Sequence, residues 1–403
     1  MAASDAQLPA PLRGLLERYR RGLLEDTLPF WLQHGMDAEH GGLFTSLGRR
    51  GELVDTDKSI WFQGRFAWLM ATLHGTVEPR EDWLEAAAGC ARFLERHGFD
   101  DDGRMRFLVT RDGRPLRTRR YAYSEAFGAM AFAALGHSTG DPARRDRGHE
   151  LFRTFVRRAI EPGEVEPKVD QATRPSKGIG PLMIGVGVAQ ALRAAGGLDG
   201  GEALIDGWID GIERDFCRAD LGAVLEVVAP DGAVLDHFDG RLLNPGHAIE
   251  AAWFILEESR QRGNDARLTA LGVRMLDWMW ERGWDVEHGG FLSFVDLDGR
   301  PVQCVEHDMK YWWPQAEACI ATLLAWRLTG DERHAARHRL VSDWAHEHLA
   351  DPEGGEWFGY LRRDGSVATE LKGGHWKGPF HLPRMQLLCW RLLEGSASPG
   401  GHP

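Results

Sequence analysis

Two kinds of helical pattern alternate along the chain. Segments 11–33, 81–97, 142–159, 265–282 and 332–349 confine their apolar residues to one face, which predicts amphipathic helices on the outside of a packed body. Segments at about 59–75, 124–137, 180–195, 247–262, 312–328 and 383–393 are more apolar, which predicts helices buried further inside. A Gly/Asp-rich turn follows each helix of the first kind. A short stretch reading as a hairpin comes next, with Asp-Gly at its tip in four places: Asp112-Gly113, Asp231-Gly232, Asp298-Gly299 and Asp364-Gly365. Thr139-Gly140-Asp141, Gly263-Asn264-Asp265 and Thr329-Gly330-Asp331 each close one helix and open the next, with Gly suited to the left-handed C′ position and Asp to the following N-cap.

The alternation is an internal repeat. Gly35-Met36-Asp37-Ala38-Glu39-His40-Gly41-Gly42 and Gly283-Trp284-Asp285-Val286-Glu287-His288-Gly289-Gly290 agree at six of eight positions. With Asp37, Asp100, Asp220, Asp285 and Asp351 as markers the steps are 63, 120, 65 and 66, so the long step holds two periods with a degenerate copy near 160–178. Six units of about 63 residues, each one helix–hairpin–helix element, stack on their neighbours. Six such pairs close a ring. The expectation is an all-α (α/α)6 barrel, a single domain over residues 11–394, with residues 1–10 and 395–403 disordered.

Composition narrows the function. A formal net charge of −12 with no basic stripe argues against a nucleic-acid partner. No run of about 18 apolar residues exists, and the N-terminus lacks a basic segment followed by an apolar one, so neither a membrane span nor a signal peptide is expected and a cytoplasmic location is the default. Five scattered cysteines without a C-x-x-C pair suggest no zinc knuckle and no disulfide framework. Sixteen tryptophans supply core bulk and flat faces on which a sugar ring could pack.

Candidate chemistry emerges from phase. Polar residues that interrupt the inner helices fall at their starts: Gln63 and Arg65, Tyr123 to Glu125, Arg174 and Lys177, His247 and Glu250, Gln315 and Glu317, His381 and Arg384. A closed ring carries all of them to one mouth, where six helix N-termini favour an anionic intermediate. His247 and Glu250 stand at i, i+3, so the carboxylate is expected to fix the imidazole tautomer. His381 has the same phase two units on, so the two histidines can address opposite faces of one carbon. His-x-x-Glu could be half a metal site, but H-E-x-x-H is absent and no metal is expected.

These segments resemble the N-acylglucosamine 2-epimerase family. The similar stretches are Trp61-Phe62-Gln63-Gly64-Arg65, Tyr121 to Glu125, Gly240 to His247 and on to Phe254, His307 to Glu317, and Lys372 to Arg384, so that the likeness covers residues 15–393. N-P-G-H and W-W-P-x-x-E are its most specific strings. Leu382-Pro383-Arg384 after the last histidine is of the acylglucosamine type rather than the cellobiose 2-epimerase type. The resemblance implies an (α/α)6 barrel that interconverts C2 epimers of a small sugar, N-acetylglucosamine with N-acetylmannosamine or glucose with mannose. It implies ring opening, removal of the C2 proton by one of His247 and His381, an enediolate, and return of a proton by the other. Arg65 would neutralise the C1 oxyanion, Glu250 and Glu317 would orient the histidines, and Trp61, Tyr123, Lys177, Met183, Trp313, Trp376 and Arg384 would bind substrate. No cofactor is required on this reading; ATP as an activator is implied by the resemblance alone, and a homodimer is an open assembly state. The rivals are an aldose–ketose isomerase on the same fold, a glycoside hydrolase using Glu250 and Glu317, and a sugar-binding protein without turnover.

Overall fold

The computed structural model describes residues 8–119, 121–161 and 169–395. Six outer and six inner helices alternate through it. The inner ones are Ile60–Thr76, Tyr123–Thr139, Gly180–Ala194, Pro245–Gln261, Trp312–Thr329 and His381–Leu393. The outer ones are residues 15–34, Glu81–His97, Pro142–Phe155 with its continuation to Ile160, Gly201–Asp215, Ala266–Gly283 and Glu332–His348. The units are numbered one to six in chain order.

The difference in apolar pattern becomes a difference in burial. Tyr123–Thr139 is buried without a break from Ser124 to Gly136, whereas Glu81–His97 buries one stripe built on Trp83, Ala87, Cys90 and Leu94. Inner helices of units one and two approach so closely that a Cβ on Gly64 would lie 2.7 Å from the backbone oxygen of Phe127, so glycine is required at this crossing. The three short links act as expected. Asp141, Asp265 and Asp331 accept hydrogen bonds from the first-turn amides of the helices they open, after Gly140, Asn264 and Gly330 at positive φ. The Asp-Gly tips likewise have Gly113, Gly232, Gly299 and Gly365 at positive φ.

The outer helix of unit four, Gly201–Asp215, was not among the helices expected from the pattern. It ends just before the marker Asp220, at the place the repeat gives to an outer helix. At the other boundary Leu8 is already buried and Ala10–Leu12 forms a 3-10 turn, so the packed chain starts earlier than the residue 11 expected. Residues 1–7 and 396–403 lie outside the described ones.

At the mouth the described residues show five of the six units stitched to the next. The lead-in to an inner helix pairs antiparallel with the following unit's hairpin: Lys58–Ser59 with Leu108–Val109, Lys177–Gly178 with Val227–Val228, Leu242–Leu243 with Val295–Asp296, and Lys310–Tyr311 with Tyr360–Leu361. Between units six and one the amide of Lys372 donates to the carbonyl of Leu47 at 2.9 Å.

The repeat's marker Asp does structural work here. Asp37 binds the buried Lys58 of its own unit at 2.7 Å and Arg111 of the next at 2.9 Å. Asp285 repeats this with Lys310 and Arg363, and Asp351 with Lys372 and Arg49. Three clips therefore fasten the arc that runs from unit five through six and one to two. The outer seam between units one and six closes on Tyr19, whose hydroxyl meets His338 Nε2 at 3.0 Å and Ser342 at 2.8 Å.

Candidate active site

The starts of all six inner helices open into one funnel of about 1400 Å³, lined by Trp61 and Arg65 of unit one, Tyr123 of unit two, Lys177 and Met183 of unit three, His247 of unit four, Trp313 of unit five, and Trp376 and His381 of unit six. Arg65, Tyr123, Lys177, His247 and His381, which share one phase in the sequence, thus meet at one end of the barrel. The phase argument does not hold for every polar residue at that phase. Gln63 and Gln315 are fully buried clips: each amide side chain both accepts from and donates to one residue of its own unit's turn, Leu43 and Phe291 respectively. Glu125 takes the same place in unit two and accepts from the amide of Met105 at 3.1 Å.

The string Asn244-Pro245-Gly246-His247 can be explained atom by atom. Asn244 caps the helix by accepting from the amide of His247 at 3.1 Å, and Pro245 begins it. Gly246 leaves room for an indole, since a Cβ there would lie 2.4 Å from the ring of Trp313. Trp313 in turn packs against both histidines. Its ring centroid is 5.2 Å from that of His247 and 5.7 Å from that of His381, with both imidazoles tilted by about the same angle, 39° and 43°.

Each imidazole is held at Nδ1 by a carboxylate. His381 Nδ1 lies 2.6 Å from Glu317 Oε1, as expected from the sequence. His247 departs from expectation. Its Nδ1 lies 2.9 Å from Oε1 of Glu226, a residue of the unit-four hairpin that the sequence reading did not single out. Glu250, expected to orient His247 from one helical turn away, instead accepts from Arg384 Nη2 at 2.5 Å. The same Nη2 donates to Glu317 at 2.8 Å, and Trp253 Nε1 donates to the other Glu317 oxygen at 2.6 Å. Arg384 was expected to bind substrate; its guanidinium is committed to these two carboxylates and lies behind the funnel wall. Lys177 lines the funnel, but its ammonium is tied to Asp215 at 2.8 Å and to the carbonyl of Pro230 at 2.7 Å.

The electrostatics follow from burial. His381 is pushed well below the usual imidazole range by burial, with Arg384, Arg65 and His247 adding to the effect and Glu250 opposing it. A neutral His381 donates Nδ1–H to Glu317 and keeps its basic lone pair on Nε2. Arg65 is buried in an aromatic box, its guanidinium 4.0 Å from the Phe127 centroid, 4.4 Å from Phe380 and 4.9 Å from Trp61. Among the described residues no carboxylate lies within ion-pair distance of it. Burial draws its pKa down, and Glu250 and Glu317 oppose that from farther away. Trp61 and Trp376 meet edge to face at 5.9 Å on the same side of the funnel, Trp376 with 44% of its surface exposed.

Glu250, Glu317 and His381 offer ligand atoms within 4.8 Å of one another, as a metal site would. The Arg384 guanidinium bonded to both carboxylates already supplies the cation. It also fills the space between them that a scissile glycosidic bond would need, which removes the geometric basis for a hydrolase with these two acids. His307, near the expected mouth, lines a neighbouring cleft with Arg282 and Arg363. The described residues contain no helix long and apolar enough to cross a membrane.

Comparison with known proteins agrees with this architecture. The family model described as N-acylglucosamine 2-epimerase matches residues 42–382. An N-acylglucosamine 2-epimerase of Bos taurus is 38% identical over 96% of this chain and 93% of its own length. A cellobiose 2-epimerase of Bacteroides fragilis is more distant, 25% identical over 94% and 98%. Among solved structures, the cellobiose 2-epimerase of Spirochaeta thermophila superposes with a TM-score of 0.81 over 96% of this chain and 99% of that one, at 24% identity, and shares the α/α-barrel fold. A match of this extent, over both the repeat and the histidine-bearing strings, is decisive: the chain belongs to the N-acylglucosamine 2-epimerase family, and with it to the isomerases.

Proposed function

We propose that this enzyme interconverts the C2 epimers of an open-chain aldose by a two-base mechanism in which His247 and His381 serve the two faces of C2. The observation that carries the reading is a shared arrangement: both imidazoles pack against the indole of Trp313, and each has a carboxylate at Nδ1 that leaves Nε2 as the basic nitrogen. The C2 proton is acidic because the C1 carbonyl lies beside it. One histidine removes it, a planar enediolate forms, and the other histidine protonates the opposite face. Groups positioned in this way contribute about 10²–10⁴ each in rate. Arg65, cationic and without a carboxylate beside it, compensates the charge developing on the C1 oxygen. Glu317 and Glu226 position the imidazoles, and Trp61, Trp313 and Trp376 offer faces for the sugar.

The bovine relative's name supports N-acetylglucosamine and N-acetylmannosamine as the first pair to try. The test is proton NMR of these two sugars, glucose and mannose, each with enzyme in D₂O, without added metal and with and without ATP. The expected outcome is deuterium at C2 together with the C2 epimer. Formation of a ketose would assign the isomerase reaction instead, and binding without exchange would sink catalysis at C2 altogether. The same series reads any activation by ATP, and sedimentation of the active enzyme reads its assembly state.

A further inference from the structure

In a ring of six units, unit two stands across the mouth from unit five. Trp313 of unit five and its two histidines therefore hold the C1–C2 end of a ligand, and the ligand's far end faces the wall built by units two and three. That wall is basic, in a chain whose net charge is −12. Arg104 and Arg119 of the unit-two hairpin and Arg158 at the end of the unit-three outer helix all line the funnel.

The three are unequally satisfied. Arg119 is paired with Asp100 at 2.5 Å and Asp102 at 3.3 Å. Arg158 Nη1 stands 3.6 Å from Glu125, beyond hydrogen-bonding distance, and is buried without an acceptor among the described residues. Arg104 has no carboxylate within ion-pair distance among the described residues, and its Nε is likewise buried without an acceptor. Burial and the like charges of Arg119 and Arg158 both disfavour its cationic form. On the unit-three side Lys177 and Arg214 share the single carboxylate of Asp215. Positive charge thus accumulates on the cavity wall, only partly offset by Glu125, Asp100 and Asp102, and a neutral sugar would add nothing to offset it.

We infer that Arg104 and Arg158 form an anion subsite that takes a phosphate, sulfate or carboxylate group carried by the sugar at its end remote from C2. The substrate class is then an anionic hexosamine. The guanidinium forks suit a tetrahedral or planar oxyanion better than a hydroxyl. The inference rests on the sugar lying in the funnel as proposed above.

Its test compares N-acetylglucosamine with N-acetylglucosamine 6-phosphate. By calorimetry on the His247→Asn enzyme, which should no longer interconvert the epimers, the phosphorylated sugar should bind at least about tenfold more tightly, and the advantage should shrink as salt rises. Adding Arg104→Gln or Arg158→Gln should remove that advantage, with affinity for the neutral sugar held within about twofold. Equal affinity for both sugars in the parent enzyme would overturn the subsite. So would inorganic phosphate binding that does not compete with the phosphorylated sugar, since the arginines would then serve a separate effector. Should either arginine variant fold poorly, competition by inorganic phosphate against the phosphorylated sugar in the parent enzyme decides alone. Phosphate preference without C2 exchange in the wild type would support the subsite and sink the epimerase reading. Exchange without preference would do the reverse.

Discussion

The two histidines at the mouth share residue type, helical phase and the same indole, yet their surroundings differ. The side chain of His381 is 10% exposed and belongs to a closed buried network of Glu317, Arg384, Glu250 and Trp253. That of His247 is 34% exposed, and its carboxylate partner comes from a neighbouring hairpin. Inner-helix residues from units four, five and six lock the first base. The second is held at Nδ1 by Glu226 and packs against Trp313. A two-base reaction needs both imidazoles neutral in turn and protonated in turn, and the two are held for it in different settings: one desolvated inside a buried ion network, the other open to solvent beside Glu226.

The largest effect should come from removing either base. His381→Asn and His247→Asn should each lower epimerisation by about 10⁴. Each should still exchange the C2 proton of the one epimer whose C–H faces the surviving histidine, which NMR in D₂O would detect. Loss of exchange from both epimers in either variant would end the division of faces.

Next comes Arg384→Met, which leaves Glu250 and Glu317 buried together without their cation. Breaking such a pair costs about 3–5 kcal/mol, so the midpoint of thermal unfolding should fall clearly and activity with it. An unchanged midpoint would mean that the network around His381 does not hold the barrel. The comparison sharpens further with the carboxylates: Glu317→Gln should reduce kcat by about a hundredfold, and Glu226→Gln by about tenfold, both with little change in KM. Equal losses would erase the proposed asymmetry.

The smallest effect separates burial from networks. His338 and His346 are drawn down to about 4 by burial, with hydrogen bonds to the carbonyls of Cys319 and Ser342 opposing it. Their folded values lie below the unfolded one of about 6.5, so the unfolded chain takes up more protons in between. The contribution to stability is complete above pH 6.5 and is lost as pH falls from there towards 4. Unfolding midpoints between pH 7 and 4.5 should decline over that window, and less steeply in His338→Gln. A flat profile would contradict it.

Much of this was legible in the residues. Alternating apolar density specified inner and outer helices, because burial on all sides and burial on one side demand different sequences. The histidines and Glu317 were placed by phase because a closed ring converts sequence period into position. Phase failed where two roles share one position: Gln63 and Gln315 begin their helices like His247, but hold turns. Glu250 was misassigned because i, i+3 logic sees only one helix, while the actual partner Glu226 lies 21 residues away on a hairpin. No motif marks Glu226; its place just before Val227–Val228, which pairs with Lys177–Gly178 at the mouth, was the available hint. Lys177 and Arg384 looked free for ligand because their acidic partners lie 38 and up to 134 residues off in sequence.

The three Asp–Lys–Arg clips have a bearing on how such an enzyme could change its diet. They brace units five, six, one and two, the arc that carries His381, Trp313, Trp61 and Arg65. The same clip is not repeated among the described residues of units three and four, which line the funnel with Lys177 and Met183 and with His247. Natural variation or laboratory libraries confined to unit three could then resculpt what the enzyme accepts while His381, Trp313 and Arg65 stay anchored in the braced arc, whereas changes in unit four would also reach His247.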